Sequence, residues 1–290
     1  MTTPVALNLG LEESAAPHTP RPGRRTRSFK LWIGVAVLTA YAVVALLAPW
    51  LRTHDPLAQE VVIALQGPSG DHWLGTDELG RDVFSRVVTA TRLDLGLALL
   101  ATLLPCLVGS LVGMVAGYLG GWVDAVVMRC SDLLQAFPTY IVMMVLVFSL
   151  GPGVTSLLIS FTAVGWVVYA RLMRAEVARV RNAEYVTAAM TAGFRAPRII
   201  GRHVLPNASK QTLLYLTSDL VFTVSALAAF SFLGFGIQQP TPEWGSMIFA
   251  AQPYLTSDPR LTIVPGVVIS VLAFGLALLG DGLQDKAGRR

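Results

Sequence analysis

The sequence contains 290 residues, of which 53% are hydrophobic and only 14% are charged, and its formal net charge is +4. Soluble domains carry about 25% charged residues, so the composition excludes an ordinary soluble globular protein. The two cysteines, Cys106 and Cys130, are too few for a disulfide framework.

In chain order, a polar segment comes first and six long uncharged or nearly uncharged runs follow. Residues 1–30 contain several prolines and arginines and are predicted to form a disordered tail. The first run, 31–51, is longer than the roughly 7–15 residues of a signal-peptide core, so we interpret it as a retained membrane span. The other runs occupy 95–118, 133–150, 153–170, 212–236 and 261–280.

These runs favour membrane-spanning helices. Each is close to the roughly 20 residues that a helix needs to cross a bilayer. They show no alternation with a period of two residues and are too long for barrel strands. Helices also satisfy every backbone hydrogen bond internally, as hydrocarbon requires. The sequence therefore predicts an all-α integral membrane protein with six transmembrane helices.

The distribution of lysine and arginine predicts the orientation of these spans. The two terminal segments, the second-to-third connection and the 171–211 segment carry 17 of these residues, and the opposite side carries 5. The positive-inside rule places the richer side in the cytoplasm. We therefore predict that both termini are cytoplasmic, including the tail 282–290, and that 52–90 is extracytoplasmic. This topology explains the net positive charge without nucleic-acid binding.

Motifs for catalysis and ion coupling are absent from the sequence. No lysine follows a glycine, so there is no P-loop, and neither an H-E-x-x-H nor a G-x-S-x-G motif occurs. Asp219 is the single ionisable residue inside an apolar run. It is either hydrogen-bonded in the bundle or facing an aqueous cavity, or it contacts a transported solute. The sequence thus predicts a conduit without its own energy source.

Four segments carry a resemblance to a known family. They are HWLGTDELGRDVFSR at 72–86, EYVTAAMTAG at 184–193 with RHVLPN at 202–207, PTPEWGSM at 240–247, and GDGLQD at 280–285. In this order they resemble the second permease subunit of dipeptide, oligopeptide and nickel ATP-binding-cassette (ABC) importers. The resemblance covers 31–286 and implies a type I ABC importer permease fold. It also implies that the shared transmembrane domain runs from 91 to 281.

The resemblance implies that the chain works in a complex. A homologous second permease subunit would complete the pathway, two cytoplasmic ABC ATPase subunits would bind ATP and Mg²⁺, and an extracytoplasmic solute-binding protein would dock outside. This chain would contact lipid in a bacterial inner membrane, would hold no cofactor or metal, and would not be an enzyme. The implied solute is a peptide, with nickel or a metal chelate as the alternative. A secondary transporter is disfavoured by the lack of charge clusters and inverted repeats.

The 171–211 segment resembles the coupling loop by which such permeases contact their ATPases. The family pattern E-A-A-x(3)-G-x(9)-I-x-L-P is matched at Ala188, Ala189, Gly193, Leu205 and Pro206. Small alanine side chains would let a partner approach closely, and the glycine would permit a sharp turn. We predict two short helices, one ending or beginning at the proline, that form a rigid knob. The alternative is an amphipathic surface helix that binds anionic lipid.

Two positions of this loop depart from the family pattern. Thr187 stands where the pattern has Glu, and His203 stands where it has Ile. Glu184 opens the segment. Beyond the last span, Asp281 and Asp285 either contact the coupling helices or are solvated helix ends.

The remaining motifs are predicted to shape an outer gate and the docking face for the binding protein. They comprise Gly75, Thr76, Asp77, Gly80, Arg81, Asp82, Glu243, Trp244 and Gly245. Asp82 could pair with Arg81 or Arg86, and simple loop packing is the alternative for each residue. We expect an exposed Trp244, which would anchor either a partner or the membrane interface.

Overall fold

The computed structural model describes residues 24–287, and these residues form helices and no β-strand. The helices are α1 Arg24–Leu51, α2 Val83–Leu119, α3 Gly121–Gln135, α4 Thr139–Leu150, α5 Val154–Arg181, α6 Glu184–Thr191, α7 Ala196–Ile199, α8 Leu205–Phe232, α9 Trp244–Ala251 and α10 Arg260–Ala287. A π-helical turn, Ile200–Val204, joins α7 to α8. Most of the predicted tail 1–30 lies outside the described residues, but its end belongs to α1. The predicted tail 282–290 likewise begins inside α10.

Within residues 24–287, five helical segments are long and apolar enough to cross a membrane. They are Phe29–Leu51, Val83–Leu119, Val154–Arg181, Pro197–Phe232 and Arg260–Lys286. Helices α3 and α4 reach a span only as a pair and are bent by 86° relative to each other. The prediction of an all-α, multi-pass membrane protein is confirmed, with six spans if the bent pair counts as one.

The prediction of one continuous span at 133–150 is wrong. Helix α3 ends at Gln135 and α4 begins at Thr139, with Pro138 in an extended conformation between them. Proline lacks an amide hydrogen and disfavours a helical conformation in the residue before it, so the helix breaks there. The 12 residues of α4 span only about 18 Å, which is less than the roughly 30 Å of a hydrocarbon core.

Helix α2 is much longer than its apolar run, because it contains 37 residues from Val83 to Leu119. It is therefore about 55 Å long and extends beyond a hydrocarbon core. The Asp82 side chain caps its first turn by accepting a hydrogen bond from the Ser85 amide. The segment 52–82 covers the beginning of α2, and the coupling loop packs against its other end. We call 52–82 the cap segment.

A stripe of three glycines holds α2 against α5. A Cβ atom at Gly113 would lie 2.2 Å from the carbonyl oxygen of Ala170, and one at Gly109 would lie equally close to that of Trp166. Gly117 meets the backbone of Arg174 in the same way. Only glycine allows two helix backbones to approach so closely. The stripe therefore fixes α2 and α5 as a parallel pair that runs from the cap segment to the coupling loop.

Candidate functional site

Two buried arginines tie the cap segment to the loop that precedes α9. Arg81 and Arg86 are each 1% exposed. The Arg81 guanidinium donates to Asp77 and Glu78, at 2.7 Å each, and to the Gln239 side chain at 2.9 Å. Arg86 donates to the Pro56 carbonyl at 2.9 Å. Arg86 Nε makes no hydrogen bond but lies 3.4 Å from Asp77 Oδ2, as an ion pair. Because both guanidinium groups are buried and held by the chain itself, these residues build a scaffold.

Two glycines of the cap segment are required by their surroundings. Gly75 and Gly80 have φ angles of 72° and 73°, a region that glycine occupies without steric cost. A Cβ atom at Gly75 would overlap the Arg260 guanidinium, which donates to the Leu74 carbonyl at 3.0 Å. Thr76 is fully buried and donates to the Ile63 carbonyl. The first residue of α10 thus clamps the cap segment onto the bundle.

The predicted pairing of Asp82 with an arginine is wrong. Asp82 is 2% exposed, and its carboxylate accepts from the Ser85 amide at 2.8 Å and contacts His72 Nδ1 at 2.9 Å. Burial opposes ionisation of this carboxyl, but these hydrogen bonds outweigh it and lower its pKa. The arginines pair instead with Asp77 and Glu78, because capping α2 turns the Asp82 side chain away from them.

The expectation of an exposed Trp244 is also wrong. Its side chain is 2% exposed, its indole N–H donates to the Val87 carbonyl at 3.2 Å, and its ring meets Tyr41 edge-on at 6.2 Å. Its backbone amide donates to Asp94 Oδ2 at 3.1 Å. Trp244 therefore locks the beginning of α9 between the first two spans and has no free surface for a partner or for lipid.

The residues on either side of Trp244 hold it in place. Glu243 caps α9 by accepting from the amides of Gly245 and Ser246, at 2.9 and 2.7 Å. Burial raises the pKa of the Glu243 carboxyl, although the capped amides favour its charged form. A Cβ atom at Gly245 would lie 2.8 Å from the Ala228 carbonyl oxygen, so this position requires glycine. The predicted cap and loop motifs thus form one packed structure, and their docking role stays a prediction.

A cavity of about 480 Å³ lies in the membrane-spanning part, between α2, the bent α3–α4 pair, α5 and α8. Aromatic side chains make up part of its wall, and two of them, Tyr140 and Phe222, are 40% and 48% exposed. Asp219 also lines the cavity and accepts a hydrogen bond from the Tyr169 hydroxyl at 2.6 Å. Asp219 is therefore hydrogen-bonded in the bundle and lines a cavity, as the first of its two interpretations predicted. Contact with a transported solute, the second interpretation, stays a prediction.

The coupling loop is a compact helical knob, formed by α6, α7, the π-helical turn and the start of α8. Gly193 has a φ of 79° and follows α6, and the Phe194 amide donates to the Ala189 carbonyl at 3.2 Å. This hydrogen bond closes a Schellman motif with glycine at the left-handed position. The prediction of two short helices is wrong in one respect. Pro206 lies in the first turn of α8, as predicted for a proline that begins a helix. The second helix is not short, because α7 continues through the π-helical turn and α8 as one span, Pro197–Phe232.

The two alanines of the pattern face different surroundings. Ala189 is 8% exposed and packs into a small core with Val186 on α6, and with Ile199 and Val204 beyond the turn. Ala188 is exposed. The expectation that both alanines face a partner is therefore wrong for Ala189, because an amphipathic helix directs adjacent residues to different faces.

The remaining predicted residues of the loop lie at its surface or close to it. Glu184, Thr187, Leu205 and Pro206 are exposed, and His203 is half-buried, with its ring 6.4 Å from that of Tyr185. At the end of α10, Asp281 is exposed and pairs with Lys30 of α1 at 3.7 Å, so this ion pair joins two spans and does not involve the coupling loop. Asp285 is half-buried one turn later.

Comparison with known proteins finds relatives that are all membrane components of transport systems. The family described as "Binding-protein-dependent transport system inner membrane component" matches residues 109–290. The dipeptide transport system permease protein DppC of Alkalihalophilus pseudofirmus is 34% identical and aligns over 87% of this chain and 83% of its own length. The oligopeptide transport system permease protein OppC of Bacillus subtilis is 34% identical and aligns over 98% of this chain and 95% of its own length. The nickel transport system permease protein NikC of Escherichia coli is 35% identical and aligns over 87% of this chain and 91% of its own length. Identity alone does not separate peptide from nickel relatives.

Proposed function

The chain belongs to the family of binding-protein-dependent transport system inner membrane components, and we propose that it forms half of the translocation pathway of an ABC importer for peptides. It is a membrane permease subunit and not an enzyme. The observation that carries the proposal is the folded coupling loop. A surface loop that shares a hydrophobic core with α5 and continues into a membrane span is suited to transmit force from a soluble motor to the spans.

The proposed importer includes a homologous second permease subunit and two cytoplasmic ABC ATPase subunits, which bind ATP and Mg²⁺. The exposed face of α6 supports ATPase docking over lipid binding, because it presents Glu184, Thr187 and Ala188 rather than basic side chains. In this arrangement both termini lie in the cytoplasm of a bacterial inner membrane. An extracytoplasmic solute-binding protein then docks on the side of the cap segment.

The membrane cavity supports a peptide as the solute. The exposed rings of Tyr140 and Phe222 leave one side of the cavity uncovered, as expected of a pathway completed by a second subunit. Among the described residues that line it, one is a carboxylate and none is a histidine or cysteine, the side chains typical of nickel and similar ions. We propose that Asp219 contacts the protonated amine of a passing peptide, since intramembrane charges commonly mark a solute path.

The substrate assignment is tested by ATP hydrolysis of the assembled importer in nanodiscs. Its own binding protein is added empty, loaded with a dipeptide or oligopeptide, or loaded with Ni²⁺ or a nickel chelate. We expect peptide-loaded protein to raise the hydrolysis rate above that with empty protein. Stimulation by nickel-loaded protein alone would move the assignment to the nickel class. If the purified complex contained no ATPase subunit, the assignment as an ABC importer would be wrong.

A further inference from the structure

Three potential metal ligands that are distant in sequence meet beside the cap segment's junction with α2. They are His54, His72 and Asp82, and their candidate ligand atoms all lie within 4.8 Å of one another. His72 Nδ1 is 2.9 Å from Asp82 Oδ1, and the two imidazole rings stack with centroids 4.5 Å apart and a tilt of 33°. None of the three residues lines the membrane cavity.

The backbone around this cluster is already fixed in position. The His54 amide donates to Ser85 Oγ at 3.0 Å, and the Ser85 amide donates to Asp82 Oδ2 at 2.8 Å. His54 is therefore attached to the same helix turn that holds the carboxylate. Asp82 is buried, His72 is half-buried and His54 is exposed. For three ligand atoms to converge on one point, the exposed His54 ring has to turn away from Thr53 Oγ1, and His72 Nδ1 and Asp82 Oδ1 have to move slightly apart.

We propose that these three side chains bind one divalent ion of the zinc class, with water in the fourth position. Ligand atoms around a tetrahedral zinc ion, at bond lengths of about 2.0–2.1 Å, lie roughly 3.3 Å apart. The His72–Asp82 separation of 2.9 Å is close to that value. The ion displaces the proton that His72 Nδ1 and Asp82 Oδ1 share. His72 binds the ion as a neutral imidazole, with its one remaining proton on Nε2, and Asp82 binds it as a carboxylate. Asp82 Oδ2 continues to cap α2.

The ligand types select the class of ion. Two imidazole nitrogens and one carboxylate oxygen suit Zn²⁺, Co²⁺ or Ni²⁺, whereas Mg²⁺ and Ca²⁺ prefer oxygen ligands throughout. A bound ion would connect the chain just after α1 to the first turn of α2. It would thus fasten the first span to the α2–α5 pair at the end of the molecule that carries the cap segment. This role does not depend on which solute the importer carries.

The experiment uses the assembled importer, purified with an affinity tag that contains no histidine and stripped of divalent ions with a chelator. Zn²⁺ is titrated by calorimetry, and Co²⁺ is added to follow the visible absorption of a tetrahedral site. Wild type is compared with His54→Ala, His72→Ala and the control His203→Ala, whose histidine lies on the coupling loop. Asp82→Asn is avoided because Asp82 also caps α2.

We expect the wild type and His203→Ala to bind one more Zn²⁺ per copy of this chain than His54→Ala. If residual binding persists in His54→Ala, its affinity should be at least roughly 10–100-fold weaker. Excess Mg²⁺ should not compete. Equal stoichiometry and affinity in wild type and His54→Ala would overturn the proposal. Lower thermal stability of His72→Ala in metal-free buffer, without any difference in Zn²⁺ binding, would identify a His72–Asp82 hydrogen bond and nothing more.

Discussion

Ala188 and Ala189 are neighbours in the coupling-loop pattern, yet a substitution at each would test a different property. Ala189 packs into the core that the loop shares with α5, so a larger or charged residue there would disturb the folding of the loop. Ala188 lies on the exposed face of α6 and contributes little to that core. A docking contact with an ATPase is therefore best tested at Ala188.

We expect Ala188→Glu to reduce solute uptake by roughly tenfold or more at a matched membrane level. A long charged side chain would hold the ATPase surface away from α6, and desolvating its carboxylate would cost several kcal/mol if it were unpaired. The matched control is Thr187→Glu, an exposed neighbour where the family pattern itself has Glu, which should keep full uptake. Uptake and ATPase pull-down are measured for both. Full uptake by Ala188→Glu with the ATPase still bound would place the docking surface elsewhere.

Asp219→Asn removes a charge from the cavity wall but keeps an oxygen that can accept from the Tyr169 hydroxyl. Hydrogen bonds to charged groups contribute about 1.5–3 kcal/mol, so peptide uptake should fall by about tenfold or more. Tyr169→Phe leaves the carboxylate in place and should retain much more uptake. Initial uptake rates are compared between variants that bind the solute-binding protein with equal affinity. Wild-type uptake by Asp219→Asn would show that the charge has no part in the pathway.

The glycine stripe of α2 predicts that glycine-to-alanine substitutions at two positions of this helix change its stability to very different extents. Gly113→Ala places a methyl group against the Ala170 backbone, and overpacking of this kind costs about 1–3 kcal/mol. Gly96→Ala lies in the same helix with no atom within 4 Å, so only the favourable helix propensity of alanine remains. We expect a lower unfolding temperature for Gly113→Ala alone. Equal unfolding temperatures would mean that close α2–α5 contact is unimportant for stability.

The apolar runs predicted which segments cross the membrane but not how the helices are shaped. A run is bounded by the nearest charged residue, so hydropathy placed the start of the second span at 95, although α2 begins twelve residues earlier at Val83. In the third run no charge interrupts 133–150, and the break at Pro138 was visible only as backbone chemistry. The four-residue spacing of Gly109, Gly113 and Gly117 was also readable as a helix-packing signal.

The candidate site was predictable where a motif specifies local backbone and not where tertiary packing decides. The left-handed turn at Gly193 follows from glycine's freedom and is present. The burial of Trp244 depends on Tyr41 and Val87, which are more than 150 residues away in sequence. The clustering of His54 with His72 depends equally on the path of the cap segment. The burial of Trp244 and the contact between His54 and His72 could not be predicted from one sequence without knowing which segments pack together.

At the scale of the whole molecule, the cap segment and the coupling loop lie at opposite ends of α2, so they should face opposite sides of the membrane. In a variant without Cys106 and Cys130, single cysteines at Ser69 or Ser257 should react with an impermeant thiol reagent added outside. A cysteine at Thr191 should react only after permeabilisation. All three positions are exposed, so access is set by the membrane. External labelling at Thr191 would reverse the orientation and exclude ATPase docking on the coupling loop.

The most direct measurement is peptide accumulation in proteoliposomes that contain this chain, its partner permease, both ATPase subunits and the binding protein. Labelled peptide is supplied outside together with the binding protein, and ATP and Mg²⁺ are enclosed. We expect accumulation against a gradient that requires ATP and the binding protein, and that is lost in the Ala188→Glu variant. Accumulation without ATP or without the ATPase subunits, or none with any peptide although the complex is intact, would contradict it.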